Sequence, residues 1–185
     1  EEGKQLVIQG AKDGLFQKSD KAIGVDLTDE KLGFFLLLKS DGNTLYSTKD
    51  LALAKRKFEE FGIERSIYVV GAEQTLHFQQ VFATLKKMGY QQASRCFHLP
   101  YALVVLPEGK MSSRAGNVIL FSKLQQEMSD FVRNNYLESH RENWSDEEIE
   151  STTRKVAVAA IKYGMLNQDP NKQITFSLKD WLVSE

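Results

Sequence analysis

Residues 48–89 place an apolar run between two helical patterns, and this alternation limits the possible folds more than any other feature of the sequence. The run at 66–70 is rich in β-branched and aromatic residues and predicts a buried strand. Apolar residues recur at helical spacing on both sides of it: Leu51, Ala54, Phe58 and Phe61 before, then Phe78, Val81, Phe82 and Leu85 after. Helix, strand, loop and helix in this order favour an α/β fold in which helices cover a parallel sheet.

Capping signals indicate where the two helices begin and end. Thr48 is a candidate N-cap, which would put Asp50 in the first turn of the first helix. Gly62 is a candidate terminator of that helix. The second helix is predicted over 74–88, with Gly89 directly after it.

Strands are also predicted outside this unit. Residues 1–33 predict loosely organised short strands, and a hairpin follows with strands at 34–39 and 44–47. An apolar strand at 96–106 is predicted to pair with 117–121.

The remainder of the chain is predicted to be helical. One helix is expected over 122–137. A second begins at Ser145, which forms a capping box with Glu148, and ends near residue 167. A short last helix is predicted over 178–183.

Composition excludes several classes of protein. The 24 Lys and Arg residues nearly balance 25 Asp and Glu, so no global basic field draws the chain to nucleic acid or to a membrane. The longest apolar run, 34–38, is too short to span a bilayer. A single cysteine, Cys96, excludes an internal disulfide framework and suits the reducing cytosol. We therefore expect a cytoplasmic protein with no membrane partner.

The loop at 109–116 carries the groups that a polyphosphate needs. Lys110 and Arg114 flank the hydroxyls of Ser112 and Ser113, with a glycine on each side. Cationic side chains, hydroxyls and backbone N–H groups would stabilise the charge of a leaving pyrophosphate. Composition alone also allows an ordinary solvated loop, and on composition alone that is the better interpretation.

Four polar side chains, Tyr46, Asp50, Gln74 and His77, are expected at helix starts beyond strand ends, where α/β folds bind ligands. A carboxylate beside a phenol and a carboxamide would suit a guanidinium, which pairs with carboxylates and lies against aromatic rings. Taken one at a time, each residue has a structural interpretation: Asp50 as a helix-start residue, Gln74 as a surface residue and His77 as a hydrogen-bonded structural histidine.

Other chemistries lack a pattern. The three histidines and Cys96 do not have the spacing of metal ligands, and no metal site is predicted. No Walker loop, dinucleotide fingerprint or nucleophile elbow occurs.

Six short segments stand in one order along the chain: 39–42 (Lys-Ser-Asp-Gly), 46–52 (Tyr-Ser-Thr-Lys-Asp-Leu-Ala), 68–71 (Tyr-Val-Val-Gly), 74–79 (Gln-Thr-Leu-His-Phe-Gln), 110–116 (Lys-Met-Ser-Ser-Arg-Ala-Gly) and 160–163 (Ala-Ile-Lys-Tyr). Their order and spacing resemble the arginyl-tRNA synthetases, which are class I aminoacyl-tRNA synthetases. The resemblance covers about 34–180. Several separated motifs in one order are far more specific than any one of them, and they reverse the preference for a solvated loop.

The resemblance implies an arginine–tRNA ligase that uses ATP with Mg²⁺, forms an arginyl-adenylate and transfers arginine to its tRNA. It implies no tightly bound cofactor. Tyr46, Asp50 and Gln74 match the arginine-binding positions, with Asp50 facing the guanidinium. His77, Lys110 and Met111 match positions at the ATP. Lys110, Ser112, Ser113 and Arg114 match the flexible Lys-Met-Ser-Lys-Ser loop, and are the implied catalytic residues.

Two departures from the family pattern matter. Ser113 stands where the loop usually has its second lysine, as is common in arginyl enzymes, which leaves open whether Lys110 or Arg114 makes the main phosphate contact. The His-Ile-Gly-His motif of class I enzymes does not occur in the sequence. We therefore expect an internal fragment that cannot aminoacylate by itself.

The expected fold is α/β, the C-terminal half of a Rossmann-like class I catalytic domain over 1–121 followed by an α-helical stem over 122–185. The stem would lead toward an anticodon-binding domain. We expect a monomer whose partners are L-arginine, ATP and tRNA. The alternative is a free-standing, non-catalytic synthetase-like module that binds tRNA or a protein partner.

Overall fold

The computed structural model of the chain describes residues 2–107, 109, 111, 116, 118–177 and 181. The chain divides into two compact units, Glu1–Tyr101 and Ala102–Glu185. The predicted boundary between residues 121 and 122 falls inside the second unit, and the roles of the two parts as catalytic domain and stem stay predictions. In the described ranges, no helix has the length and apolar character needed to cross a membrane.

The first unit combines two small sheets with three α-helices. Its elements in chain order are α1 (Glu2–Lys12), β1 (Gln17–Ser19), β2 (Ala22–Leu27), β3 (Gly33–Leu38), α2 (Tyr46–Phe61), β4 (Ser66–Gly71), α3 (Thr75–Lys87) and β5 (Cys96–Tyr101). Strands β1, β2 and β3 form an antiparallel sheet in that order, and β4 pairs with β5 in parallel. The α3 helix lies between the two parallel strands in the chain, as the predicted α/β alternation requires.

The helix α1 contradicts the prediction of short strands over 1–33. Its consecutive apolar residues, 6–8, resemble a strand in the sequence, but the helix buries Val7 completely against the core. Gly10 allows the ring of Phe16 to approach, because a Cβ at Gly10 would lie 2.3 Å from the Phe16 ring. Strands β1 and β2 confirm the rest of that prediction.

Strand β3 contains a bulge beside the start of α2. The register of β2 against β3 shifts between Ile23 and Gly24, so Leu37 has no partner on β2. The hydroxyl of Thr48 donates a hydrogen bond to the Leu37 carbonyl. The same hydroxyl accepts the backbone N–H of Leu45 at 3.1 Å. One buried side chain therefore satisfies a strand carbonyl and a helix-start donor together.

Three predictions about this region are wrong because α2 begins at Tyr46. The predicted return strand at 44–47 is reduced to a single antiparallel bridge between Leu38 and Thr44, because α2 already begins at Tyr46. The N-cap is Leu45 rather than Thr48. Thr48 is the third residue of the helix, and its hydroxyl accepts the Leu45 backbone N–H. The start of α2 at Tyr46 also puts Asp50 in the second turn instead of the first.

The strand predicted at 66–70 exists, but it is buried on one face only. Ser66 and Tyr68 of β4 are buried, whereas Ile67 and Val69 are more than half exposed. Parallel pairing puts the exposed residues of the two strands side by side: Ile67 with Phe97, and Val69 with Leu99. The outer face of this pair is therefore apolar and exposed, whereas the inner face packs on the helices.

Tyr68 is the largest polar side chain of that inner face. Its ring lies against Phe78 and Phe82 of α3, with centroid distances of 5.0 and 5.5 Å. The Nζ atom of Lys57 lies 4.0 Å from the ring centroid, in cation–π contact. The hydroxyl lies near Cys96 but makes no hydrogen bond within the described residues. Burial raises the pKa of Tyr68 to about 12.

The core of the first unit joins the antiparallel sheet to its helices. It consists of Val7, Phe16, Ile23, Val25, Leu27, Phe35, Leu37, Leu38, Leu51, Ala54, Val81, Ala83, Leu85 and Ala93. The stripes predicted for α2 and α3 contribute Leu51, Ala54, Val81 and Leu85, which confirms both helices. Gly62 and Gly89, both with positive φ, follow the two helices as predicted.

The second unit is mainly helical. Its elements are β6 (Val104–Val105), α4 (Phe121–Val132), a π-helical turn (Arg133–Leu137), a 3₁₀ turn (Glu138–His140), α5 (Asp146–Leu166) and β7 (Ile174–Thr175). The two short strands pair in parallel. The helices pack around a second core: Leu124, Met128, Val132, Leu137, Ile149, Ala157, Ile161 and Phe176.

The predicted capping box at the start of α5 is confirmed. The Ser145 hydroxyl accepts the backbone N–H of Glu148 at 3.3 Å, and the Glu148 carboxylate accepts the backbone N–H of Ser145 at 2.9 Å. These bonds satisfy two donors at the helix start. The Ser145 N–H, and then the Ser145 hydroxyl, donate to the Glu148 carboxylate and hold its pKa below the usual range. The helix predicted over 178–183 lies largely outside the described residues.

The predicted pairing of 96–106 with 117–121 is wrong. Strand β5 ends at Tyr101, and it pairs with β4 in parallel. Strand β6 pairs instead with β7. Phe121 is the first residue of α4, and residues 118–120 form no strand. The apolar run of 96–106 therefore supplies two strands to two different sheets.

Replacing Thr48 with valine keeps the shape of the side chain and removes its hydroxyl. The Leu37 carbonyl and the Leu45 N–H then lose their partner, so we expect the free energy of unfolding to fall by about 1–3 kcal/mol in urea denaturation. The matched control is Thr84→Val, because Thr84 is equally buried. Its hydroxyl donates to the Gln80 carbonyl, which also accepts the helical hydrogen bond from the Thr84 N–H, so removing the hydroxyl leaves no group unpaired. Equal losses in the two variants would contradict the role of Thr48.

The raised pKa of Tyr68 predicts a pH dependence. In the unfolded chain a tyrosine ionises near pH 10, but in the folded chain Tyr68 keeps its proton to about pH 12. Folded protein therefore binds more protons in this window, and the free energy of unfolding falls as pH rises from 10 to 12. In Tyr68→Phe the free energy of unfolding should fall by about 1–3 kcal/mol less between pH 10 and 12 than in the unchanged protein. Urea denaturation at each pH measures this. An identical pH slope in the variant would contradict burial as the cause.

Candidate functional site

Asp50 and His77 meet across two helices of the first unit. The Nε2 atom of His77 lies 2.7 Å from Oδ2 of Asp50, although the two residues are 27 positions apart in the sequence. Their side chains are 22% exposed for His77 and 26% exposed for Asp50. The pair is thus held by the protein while remaining accessible to a ligand.

Aromatic contacts fix the position of the His77 ring. Phe35 of β3 meets it edge to face, with ring centroids 5.6 Å apart, and Phe78 does so at 5.4 Å. Phe35 and Phe78 are themselves buried. Because these neighbours leave the imidazole little freedom, its Nε2 atom is aimed at Asp50 by packing as well as by the hydrogen bond.

Asp50 is positioned by the contacts of α2 with β3. Ser47 donates a hydrogen bond to the Leu36 carbonyl at 2.7 Å, beside the bond from Thr48 to Leu37. These two contacts fix the first turn of α2 against the end of β3. Asp50 follows one turn later, so its place depends on this attachment.

Tyr46 and Gln74 lie at the starts of α2 and α3, the two helices that carry Asp50 and His77. Tyr46 is the first residue of α2, four positions before Asp50, and is 82% exposed. Gln74 ends the 3₁₀ turn Ala72–Gln74 that leads into α3, and it is exposed. Neither side chain hydrogen-bonds to another described residue, and the Nζ atom of Lys49 lies 5.8 Å from the Tyr46 ring centroid. Residues at i and i+4 share a helix face, so Tyr46 and Asp50 do so in α2.

His98 has a structural role, which the sequence could not distinguish from a functional one. It stacks on Phe78 with centroids 4.8 Å apart, and one ring nitrogen lies 2.9 Å from the carbonyl oxygen of Val70. These contacts link β5 to β4 and α3. Cys96 is a packing residue as well, because burial raises the pKa of its thiol above the usual range.

The predicted phosphate loop is only partly within the described residues. Lys110, Ser112, Ser113 and Arg114 lie outside them. Met111 is described and is partly buried in the second unit. The assignments of these five residues therefore stay predictions.

The described residues contain no group of three His, Cys, Asp or Glu side chains that could hold a metal ion. Sequence reasoning missed Phe35, which contacts the His77 ring, and Ser47, which fixes the start of α2 to β3. Phe35 has the signal of an ordinary core residue of β3, and Ser47 is the second residue of α2.

The arrangement offers a carboxylate that is already oriented. A carboxylate only accepts hydrogen bonds, so the Nε2–H of His77 is the donor. Among the described residues, none donates to the second oxygen, Oδ1 of Asp50. Such an oxygen, near an exposed phenol ring, can accept N–H groups from a planar cation.

Comparison with known proteins identifies the family. Residues 4–178 match the family described as tRNA synthetases class I (R), catalytic domain. An arginine–tRNA ligase from Bdellovibrio bacteriovorus is 51% identical over 179 residues, which are 97% of this chain and 30% of the relative. One from Bacteroides thetaiotaomicron is 39% identical over 181 residues, with the same two shares. The chain thus spans less than a third of the length of these relatives.

Solved structures show the same fold. The arginyl-tRNA synthetase of Plasmodium falciparum superposes with a TM-score of 0.77 at 21% identity, over 97% of this chain and 30% of that one. The enzyme of Thermus thermophilus gives 0.76 at 23% identity, over 97% and 36%. At such identities the likeness concerns the fold alone. The match to the family over most of the chain shows that this protein belongs to the catalytic-domain family of the class I arginyl-type tRNA synthetases.

Proposed function

We propose that this chain is part of an arginine–tRNA ligase and supplies its arginine-binding carboxylate. In the proposed reaction the arginine carboxylate attacks the α-phosphorus of ATP and releases pyrophosphate. A ribose hydroxyl of the tRNA then attacks the carbonyl of the arginyl-adenylate and releases AMP. The names of the relatives, arginine–tRNA ligases, support this assignment.

The observation that carries the proposal is the Asp50 carboxylate, with one oxygen bonded to His77 and the other without a described donor. A guanidinium presents a rigid fork of N–H donors that matches a carboxylate. We propose that Asp50 accepts those donors from the substrate. Each charge-assisted hydrogen bond contributes about 1.5–3 kcal/mol, which is enough to dominate recognition of the side chain.

Tyr46 and Gln74 complete the proposed arginine site. The Tyr46 ring is almost fully exposed at the helix start, so it offers a face against which a guanidinium can lie. Gln74 precedes His77 by three residues, and its carboxamide can both donate and accept hydrogen bonds. Both side chains make no hydrogen bond to the described residues, which leaves them available to a substrate.

ATP is proposed to bind next to this site. His77, Lys110 and Met111 are the proposed contacts, and Lys110, Ser112, Ser113 and Arg114 would hold the phosphates during adenylate formation. Mg²⁺ is proposed to accompany the ATP phosphates. We further propose a cytoplasmic monomer that binds tRNA.

The first test compares this chain with a longer protein that contains it and has the full length of its relatives. We propose that the longer protein charges tRNA with arginine in the presence of ATP, and that the chain alone does not. Arginine esterified to tRNA is measured directly. A longer protein that binds tRNA but never charges it would instead support a non-catalytic synthetase-like module.

Asp50→Asn keeps the shape of the side chain and removes its charge. In the full-length protein we expect KM for arginine to rise about 10- to 100-fold, with KM for ATP unchanged, measured by arginine-dependent ATP–pyrophosphate exchange. Asp29→Asn is the control, because Asp29 is exposed in a 3₁₀ turn of the same unit. An unchanged KM for arginine in the Asp50 variant would remove the assignment.

Lys110→Ala and Arg114→Ala test the phosphate loop. If both cations stabilise the leaving pyrophosphate, the rate of adenylate formation should fall more than the affinity for ATP, because the contact strengthens in the transition state. Single-turnover kinetics at several ATP concentrations separate the two quantities, and the variant with the larger loss identifies the main phosphate contact. Equal losses in rate and affinity would indicate ground-state binding only.

A further inference from the structure

We infer that His77 is a positioning residue for Asp50, in addition to its proposed place near ATP. This inference rests on the proposed function and assigns a substrate-orienting role within the same site. It comes from the hydrogen bond between the Nε2 atom of His77 and Oδ2 of Asp50, together with the contacts that hold the imidazole in place.

The direction of the hydrogen bond follows from the chemistry of the two groups. The carboxylate cannot donate, so the Nε2 atom of His77 carries the proton. One such bond selects one orientation of the Asp50 side chain. Without it, a carboxylate that is about a quarter exposed would sample several rotamers and would lose entropy when a substrate bound.

Three elements of the fold determine the geometry. Phe35 from β3 and Phe78 from α3 contact the imidazole at its faces and edges. Thr48 attaches the start of α2 to the bulge of β3, which sets the backbone of Asp50. The donor and the acceptor thus sit on separate elements that are joined through β3, an arrangement suited to holding an oriented group.

The bond to His77 leaves the carboxylate able to bind a substrate. A carboxylate offers about four lone-pair sites, and His77 occupies one of them, on Oδ2. Two more suffice for the paired N–H groups of a guanidinium.

Two variants separate the hydrogen bond from the packing of the ring. His77→Phe keeps an aromatic ring against Phe35 and removes the donor, whereas His77→Gln keeps an N–H donor at a similar reach and removes the ring. In the full-length protein we expect His77→Phe to raise KM for arginine about tenfold with a much smaller change in kcat. We expect His77→Gln to restore most of that loss.

A double-mutant cycle decides whether His77 acts through Asp50. If it does, the variant with both Asp50→Asn and His77→Phe should have the same KM for arginine as Asp50→Asn alone, because there is no charge left to orient. Additive increases would overturn the inference. So would a His77→Phe variant whose KM for arginine is unchanged while KM for ATP rises.

The same experiment distinguishes the two proposals. If Asp50→Asn leaves KM for arginine unchanged, the proposed function of Asp50 fails and the positioning role fails with it. If Asp50→Asn raises KM but His77→Phe does not, only the positioning role fails. Circular dichroism and thermal unfolding of each variant show that a loss of binding is not a loss of fold.

Discussion

The contact on which the first unit depends most is that between Thr48 and the unpaired residue of β3. A bulge normally leaves a backbone carbonyl without its ladder partner, and a buried carbonyl without a partner is costly. Thr48 satisfies the Leu37 carbonyl and the first donor of α2 with a single hydroxyl. The irregularity in the sheet is therefore the feature that fixes where α2 begins, and hence where Asp50 lies.

Much of the fold follows from local patterns, and the exceptions have identifiable causes. The stripes of α2 and α3, and the capping box at Ser145, depend on short-range spacing, and all three are confirmed. The pairing of β5 with β4, and the break of the 96–106 run into two strands, depend on contacts between distant segments. The helix α1 was missed because its three consecutive apolar residues suit a strand as well as a helix.

The candidate site was predictable in its residues but not in its contacts. Strand-end positions and residue chemistry selected Asp50 and His77 without a structure. Nothing in their spacing of 27 residues indicates a direct hydrogen bond, since that requires the packing of α2 and α3. The part played by Phe35 was hidden for the same reason, because its signal is that of an ordinary core residue.

Within the described residues, the lysines and the arginine of α2 make their contacts away from Asp50. The helix carries four of them, and each described contact goes elsewhere: Lys49 to the Tyr46 ring, Lys55 to Glu59, Arg56 to Glu60 and Lys57 to Tyr68 and Ser66. Among the described residues, Asp50 accepts a hydrogen bond from His77 alone. A half-buried carboxylate without a lysine or arginine partner is less stabilised than one that has such a partner. On the proposed function, the guanidinium of the substrate would supply that partner.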